Sequence, residues 1–203
     1  MAEITKPIVF AVEGIDEINF FEAFLKHCKV DNFEIKAVLG KDNFKAQLKT
    51  LVASSGFSNV TKLVLIRDAD ESSENTFVSL QNTLKELSLP VPKQEGEFNT
   101  LNNLACGIYI MPLFPEKGMI ENLCLQSIND TNDNLCIDKF IECVDKKPSN
   151  IAKAKAQIYL SIQNPMVSSL GIGAKKGYWN FNHQCFDKLR HFVGQLIEND
   201  ERN

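Results

Sequence analysis

Leu63-Val64-Leu65-Ile66 runs straight into Arg67-Asp68-Ala69-Asp70-Glu71. This is the pattern of a buried strand whose C-terminal end carries two carboxylates. In open parallel sheets, ligands bind beyond the carboxyl ends of the strands. Side chains two apart on a strand point the same way. Asp68 and Asp70 can therefore converge on one hard cation such as Mg²⁺, which takes oxygen ligands. The competing reading is a solvated strand-to-loop turn, where Asp is common.

The design recurs near the N-terminus. Pro7-Ile8-Val9-Phe10-Ala11-Val12 ends in Glu13-Gly14. A helix is expected to follow, with Asp16 as its N-cap and Phe20, Phe21, Phe24 and Leu25 at helical spacing. A carboxylate at the end of a hydrophobic strand calls for a partner, because unpaired buried charge is costly. Glu13, Asp68 and Asp70 form an acidic cluster if the two strands are neighbours.

The remaining chain continues the alternation. Strands are expected at 7–14, 33–39, 62–67 and 105–113, with a short one near Phe98. Helices are expected at 16–29, from Asp42 to Ala53, and from Glu74 to Leu87. Alternating strands and helices imply βαβ units and a mostly parallel sheet. After Pro115 the pattern is helical, with helices opening near Gly118 and over 135–145, 150–162 and 184–197. Residues 164–180, with Pro165, Gly171, Gly173 and Gly177, read as loop. The expected organisation is an α/β core over 1–115 and a helical C-terminal part over 116–203 packed on it.

Composition narrows the function classes. The 203 residues are 44% hydrophobic and 24% charged, as in an ordinary globular domain. No run of 18 apolar residues occurs, so no membrane span is expected. The N-terminus lacks a signal-peptide core. The six cysteines are scattered without a Cys-x-x-Cys, which disfavours structural zinc and suits a reducing cytoplasm. The net charge of −4 argues against strong non-specific nucleic-acid binding by the whole chain. From Lys147 onward, however, the chain carries +4, leaving −8 on residues 1–146. An acidic strand-end cluster beside a basic segment suits metal-dependent chemistry on a phosphate substrate, although charge scatter on a soluble surface gives the same count.

Taken in order, Glu13-Gly14 after the first strand, Gly40-Lys41-Asp42 after the second and Asp68-Ala69-Asp70 after the third resemble the Toprim domain. That domain serves topoisomerases, bacterial primases and the OLD-family nucleases. The resemblance covers about residues 5–115 and implies a Rossmann-like Toprim fold in which Glu13, Asp68 and Asp70 hold Mg²⁺. The segment Val12-Glu13-Gly14-x-Asp16-Glu17-x-x-Phe20-Phe21 is most similar to the OLD type, in which a second Glu follows the first by four residues, here Glu17. Gly118-Met119-Ile120-Glu121 resembles the Gly-x-x-Glu that opens a late helix in OLD-type domains, which implies Glu121 as a further metal ligand. The whole chain, including Lys153-Ala154-Lys155-Ala156, Leu170-Gly171 and Gly177-Tyr178-Trp179-Asn180-Phe181, looks like a family of small stand-alone Toprim-like prokaryotic proteins. A topoisomerase needs a separate tyrosine-bearing domain beyond the 203 residues, so neither a topoisomerase nor a full primase is expected.

The implied activity is Mg²⁺-dependent phosphodiester hydrolysis, with Mn²⁺ as the alternative metal. Glu13, Asp68 and Asp70 would hold the first metal, with Glu17 and Glu121 completing a second site. The alternative for Glu13, read as a metal ligand or acid/base, is a helix-entrance carboxylate, and for Glu17 and Glu121 it is a first-turn acid that suits the helix dipole. Lys153 is the candidate for stabilising leaving-group charge. Lys41, at a strand end before a helix, and Lys155 and Lys175 are candidates for phosphate contacts. Each has an ordinary solvated lysine as its alternative. His183 reads as a cap, and Trp179 as a core anchor in preference to a base-stacking platform. A non-catalytic module for nucleic acid or a partner protein, and a phosphoryl-transfer enzyme acting on a nucleotide, remain open. No Gly-x-x-x-x-Gly-Lys-Ser/Thr occurs, so an ATPase or targeting partner would lie on another chain.

Overall fold

The computed structural model describes residues 3–38, 44–69, 71–112 and 118–198. Five strands form one sheet in the order β2-β1-β3-β5-β4, with β1 (Ile8–Val12), β2 (Phe33–Ala37), β3 (Lys62–Asp68), β4 (Phe98–Leu101) and β5 (Leu104–Met111). All neighbouring pairs are parallel except β4–β5. The expected α/β class with a mostly parallel sheet flanked by helices is the one found. β4 and β5 form a hairpin through Asn102 and Asn103, both at positive φ, the conformation that tight two-residue hairpin turns require.

The central strands are buried on both faces, and their alternation divides two cores. Ile8, Phe10, Val12, Val64, Ile66, Tyr109 and Met111 face one side. Val9, Ala11, Leu63, Leu65, Cys106, Ile108 and Ile110 face the other. The second side is covered by α2 (Phe44–Val52) and α3 (Ser73–Glu86), through residues such as Leu48, Leu51, Leu80 and Leu84. The first side carries α1 (Ile15–His27) together with the C-terminal helices α4 (Ile120–Gln126), α5 (Asn132–Cys143), α6 (Ile151–Ser161), α7 (Leu170–Lys175) and α8 (Asp187–Glu198). Phe20 and Phe24 of α1 meet Phe181 and Phe186 at centroid distances of 5.1–6.2 Å, so the N- and C-terminal segments share one core.

Two local expectations are corrected. The segment 164–180 is not all loop, since Leu170–Lys175 forms α7. Its glycines do not break the helix; they allow close packing. A Cβ on Gly171 would lie 2.3 Å from the Asp16 carbonyl oxygen, and one on Gly173 2.5 Å from Leu160. Asp16 is not an N-cap. Gly14 holds that position, and the Asp16 carboxylate accepts from Ser169 Oγ and, at 3.3 Å, from the Gly171 N–H. It thereby ties α1 to the start of α7. Trp179 is buried, donating from Nε1 to the Leu170 carbonyl at 3.0 Å. His183 caps a short 3₁₀ turn by accepting the Cys185 N–H on Nδ1 at 3.2 Å.

Candidate functional site

β1 and β3 lie side by side at the centre of the sheet, and their C-terminal ends open on the same crevice. β1 connects outward to β2 on one side, while β3 leads towards β5 and β4 on the other. That is the topological switch point at which open α/β sheets bind ligands. Glu13 follows β1, and Asp68 is the last residue of β3.

Four carboxylates converge there. Glu13 comes from the end of β1, Glu17 from the first turn of α1, Asp68 from β3 and Glu121 from the first turn of α4. Asp68 Oδ1 accepts the Ile120 N–H at 3.0 Å, which brings α4 and Glu121 onto the strand end. Burial pushes the Asp68 carboxyl well above the usual carboxylate range, and the charges of Glu13, Glu17 and Glu121 push it further. The Ile120 bond works in the opposite direction without cancelling them. Burial also raises Glu17, with Glu13, Asp16 and Glu121 adding to the effect. Gly14 makes room for this side chain: a Cβ there would stand 3.1 Å from Glu17 Oε2.

The cluster has a partner that the sequence reading passed over. Arg67 Nε donates to Glu13 Oε1 at 2.8 Å. The pair follows from register: Ala11 lies opposite Leu65, so two residues further on Glu13 lies opposite Arg67. The Arg67 side chain is only 6% exposed, and its guanidinium carbon sits 5.3 Å from the centroid of the Phe44 ring. Among the described residues no other ion pair is made by any of the four carboxylates. The signal was available in the sequence, as a charged residue inside a buried strand directly before Asp68.

An all-carboxylate donor set is chemically suited to Mg²⁺ or Mn²⁺. Among the described residues, however, no three His, Cys, Asp or Glu side chains are disposed to hold one metal ion. Asp70 and Lys41 lie outside the described residues.

The other candidate lysines separate. Lys153 lies exposed in the first turn of α6. The N-cap of that helix, Asn150, reaches Met119 Sδ at 3.4 Å, so this turn abuts the start of α4. Lys155 is paired with Asp138 at 2.5 Å. Lys175 is bonded to Glu22 and Asn19 of α1, both at 2.6 Å. A pocket of about 140 Å³ lies at the end of β5, lined by Tyr109, Pro112, Leu123, Gln184, Cys185 and Lys188 among others, and none of the four carboxylates lines it. Among the described residues no helix is long and apolar enough to cross a membrane.

This architecture is similar to that of the C-terminal region of the Xanthomonas campestris pv. campestris OLD protein. The structure of that region phased with platinum superposes with a TM-score of 0.53 at 13% identity, covering 97% of this chain and 96% of that one. The structure phased with iodine gives 0.51 at 13% identity, covering 98% of each chain. No curated protein matches the chain in sequence. The fold is that of the OLD C-terminal region, and by the match of residues 7–198 the chain belongs to the family described as Protein of unknown function (DUF3226).

Proposed function

We propose that the protein is a Mg²⁺-dependent phosphodiester hydrolase of the OLD-like Toprim type. The observation that supports this reading best is the gathering of Glu13, Glu17, Asp68 and Glu121 at the switch point, with Asp68 held far from its ordinary ionisation. Four carboxylates with one arginine paired to Glu13 leave an excess of negative charge. A divalent cation is the partner that relieves it. Glu13, Asp68 and Asp70 would hold one metal, and Glu17 and Glu121 a second. When bound, the metal supplies Lewis-acid stabilisation of phosphoryl oxygens and an activated water. The Asp68–Ile120 bond fixes the carboxylate and the start of α4 relative to each other. Lys153, on the turn that abuts α4, would offset leaving-group charge. Lys41 remains a phosphate-contact proposal. Lys155 and Lys175 would have to give up Asp138, Glu22 and Asn19 to take that role. An ATPase or targeting protein on another chain, and DNA, RNA or nucleotide as substrate, belong to the same proposal.

Calorimetry with Mg²⁺ and Mn²⁺ on the wild type and Asp68→Ala, beside cleavage assays on single- and double-stranded DNA and RNA, tests it. The expected result is metal binding and metal-dependent cleavage, both lost in Asp68→Ala. Absence of millimolar metal binding in the wild type sinks it.

A second reading is a non-catalytic module that binds nucleic acid or a partner. It is favoured by the Arg67–Glu13 pair, which occupies one carboxylate, and by the lack of a closed ligand triad among the described residues. Metal-independent binding of nucleic acid, with no cleavage, is its signature.

A further inference from the structure

The Arg67 guanidinium is only partly used. Nε serves Glu13, one flank lies over Phe44, and Nη2 is buried without a hydrogen-bond partner among the described residues. A buried unsatisfied donor is rare in native proteins, and one carried by a charged group costs more than a neutral one. Arg67 lies on the strand that ends in Asp68, on the face that carries Leu65 and Phe44, and its bond to Glu13 joins it to the cluster. We propose that Arg67 Nη2 is a phosphoryl-oxygen contact, so that Arg67 holds Glu13 through Nε and a substrate phosphate through Nη2.

The chemistry favours an oxyanion as the missing partner. Guanidinium presents several donors in one plane, a geometry that matches phosphate oxygens and carboxylates. Glu13 already fills the carboxylate role. The remaining cluster carboxylates repel phosphate, so a fixed cation beside them is needed to accept one. Nη2 is shielded from bulk water, which strengthens any charge-assisted bond it makes and requires the arriving anion to displace what covers it. The phosphoryl group belongs either to a backbone diester or to a terminal phosphate.

This inference rests on the phosphate-substrate reading above, and the test keeps the two apart. Ca²⁺ alone is titrated into the wild type, Arg67→Lys and Glu13→Gln. Then inorganic phosphate, a 5′-mononucleotide and a short single-stranded DNA are titrated with and without Ca²⁺. Arg67→Lys keeps a positive charge for Glu13 but loses the separate Nη2 donor. Its Ca²⁺ affinity is expected to stay within about twofold of wild type. Its anion affinity is expected to fall by about 10- to 100-fold, the range for a charge-assisted hydrogen bond. A loss for phosphate and mononucleotide assigns the contact to a terminal group, and a loss for DNA alone assigns it to the diester; either supports the contact. Glu13→Gln removes the competing carboxylate and is expected to tighten metal-free phosphate binding severalfold, a gain that a misfolded variant cannot produce. Unchanged anion affinity in Arg67→Lys, or weakened phosphate binding in Glu13→Gln, overturns the proposal. Failure of Ca²⁺ to bind the wild type counts against the hydrolase reading and leaves the metal-free anion titrations to decide this one.

Discussion

Asp68 accepts the backbone N–H of Ile120 at 3.0 Å across 52 residues of sequence. Through this one bond the end of a central strand organises the start of a helix in the C-terminal part. It also brings the Glu121 charge close enough to raise the Asp68 carboxyl. The same side chain is thus a structural acceptor and a member of a crowded acidic set.

These two roles are separable by substitution. Asp68→Asn keeps an oxygen acceptor for Ile120 and deletes the charge, whereas Asp68→Ala deletes both. A carboxyl raised in the folded state contributes stability that is fully present below its ordinary value, 3.8 for Asp68 and 4.5 for Glu17, and is lost as pH rises through the raised value. Metal-free protein is therefore expected to lose this contribution as pH rises above the ordinary carboxylate range. Asp68→Asn is expected to melt higher than wild type at pH 7 without metal, and Asp68→Ala about 1 kcal/mol lower in stability than Asp68→Asn. Mg²⁺ is expected to raise the wild-type Tm and to leave both variants unmoved. Melting curves from pH 4 to 8 with and without Mg²⁺ check this. An Asp68→Asn variant that melts below wild type at pH 7 contradicts the crowded-charge account.

The α1–α7 contact gives a contrast between packing and surface charge. A Cβ on Gly171 would stand 2.3 Å from the Asp16 carbonyl oxygen and 2.6 Å from Asn19 Cβ. Backbone cannot yield there as a flexible side chain can. Gly171→Ala is expected to cost about 1–3 kcal/mol. Lys175→Ala removes a pair whose side chains are both 38% exposed, and is expected to cost less than about 1 kcal/mol. Urea unfolding measures both. If Lys175→Ala also lowers DNA affinity while stability holds, Lys175 exchanges Glu22 for phosphate; if only stability moves, its role is to fasten α7.

The parts of the fold that were legible in the sequence were those with an unbroken signal. β1 and β3 are runs of apolar residues ended by acids, and burial on both faces leaves such runs no other place than the centre of a sheet. The carboxylates at their ends were legible for the same reason. α7 was not, because glycine in a sequence signals backbone freedom, whereas Gly171 serves the close approach to Asp16. Arg67 was passed over because its meaning depends on cross-strand register, which pairs it with Glu13 only once β1 and β3 are aligned. The partners of Lys155 and Lys175 depend on helix packing that no local pattern encodes.

Trp179 is the single tryptophan of the chain and is 2% exposed. Its ring lies 5.0 Å from that of Tyr159, and its Nε1 satisfies the Leu170 carbonyl. Trp179→Ala is expected to destabilise by about 3–5 kcal/mol. Trp179→Phe deletes the Nε1 bond to a carbonyl that α7 also engages, at about 0.5–1.5 kcal/mol. Because the ring is packed inside, its fluorescence is expected to be blue-shifted and to stay unchanged when single-stranded DNA is added. A quenching that saturates with DNA would mean the ring stacks on bases after all.

The cysteines divide by environment, and their reactivity should follow it. Cys136 and Cys143 are exposed on α5. Burial pushes the Cys106 thiol up to about 12 and the fully enclosed Cys124 well above its ordinary value, with Glu121 adding to the latter. Cys28 is pushed up to about 11, against the opposing charge of Arg190. The thiolate is the reactive form, and a thiol with a pKa near 12 is ionised to only about one part in 10⁴ at pH 8. Iodoacetamide at pH 8 is therefore expected to modify Cys136 and Cys143 first, Cys28 slowly, and Cys106 and Cys124 only as the chain unfolds. The sign carries over to stability: a thiol raised in the folded state contributes stability that is whole below its ordinary value of 9.0 and is lost as pH climbs towards 12. Peptide mapping after timed alkylation reads the order directly. Modification of Cys106 at the rate of Cys136 in folded protein would mean that β5 opens to solvent, and would place the β4–β5 edge among the least stable parts of the sheet.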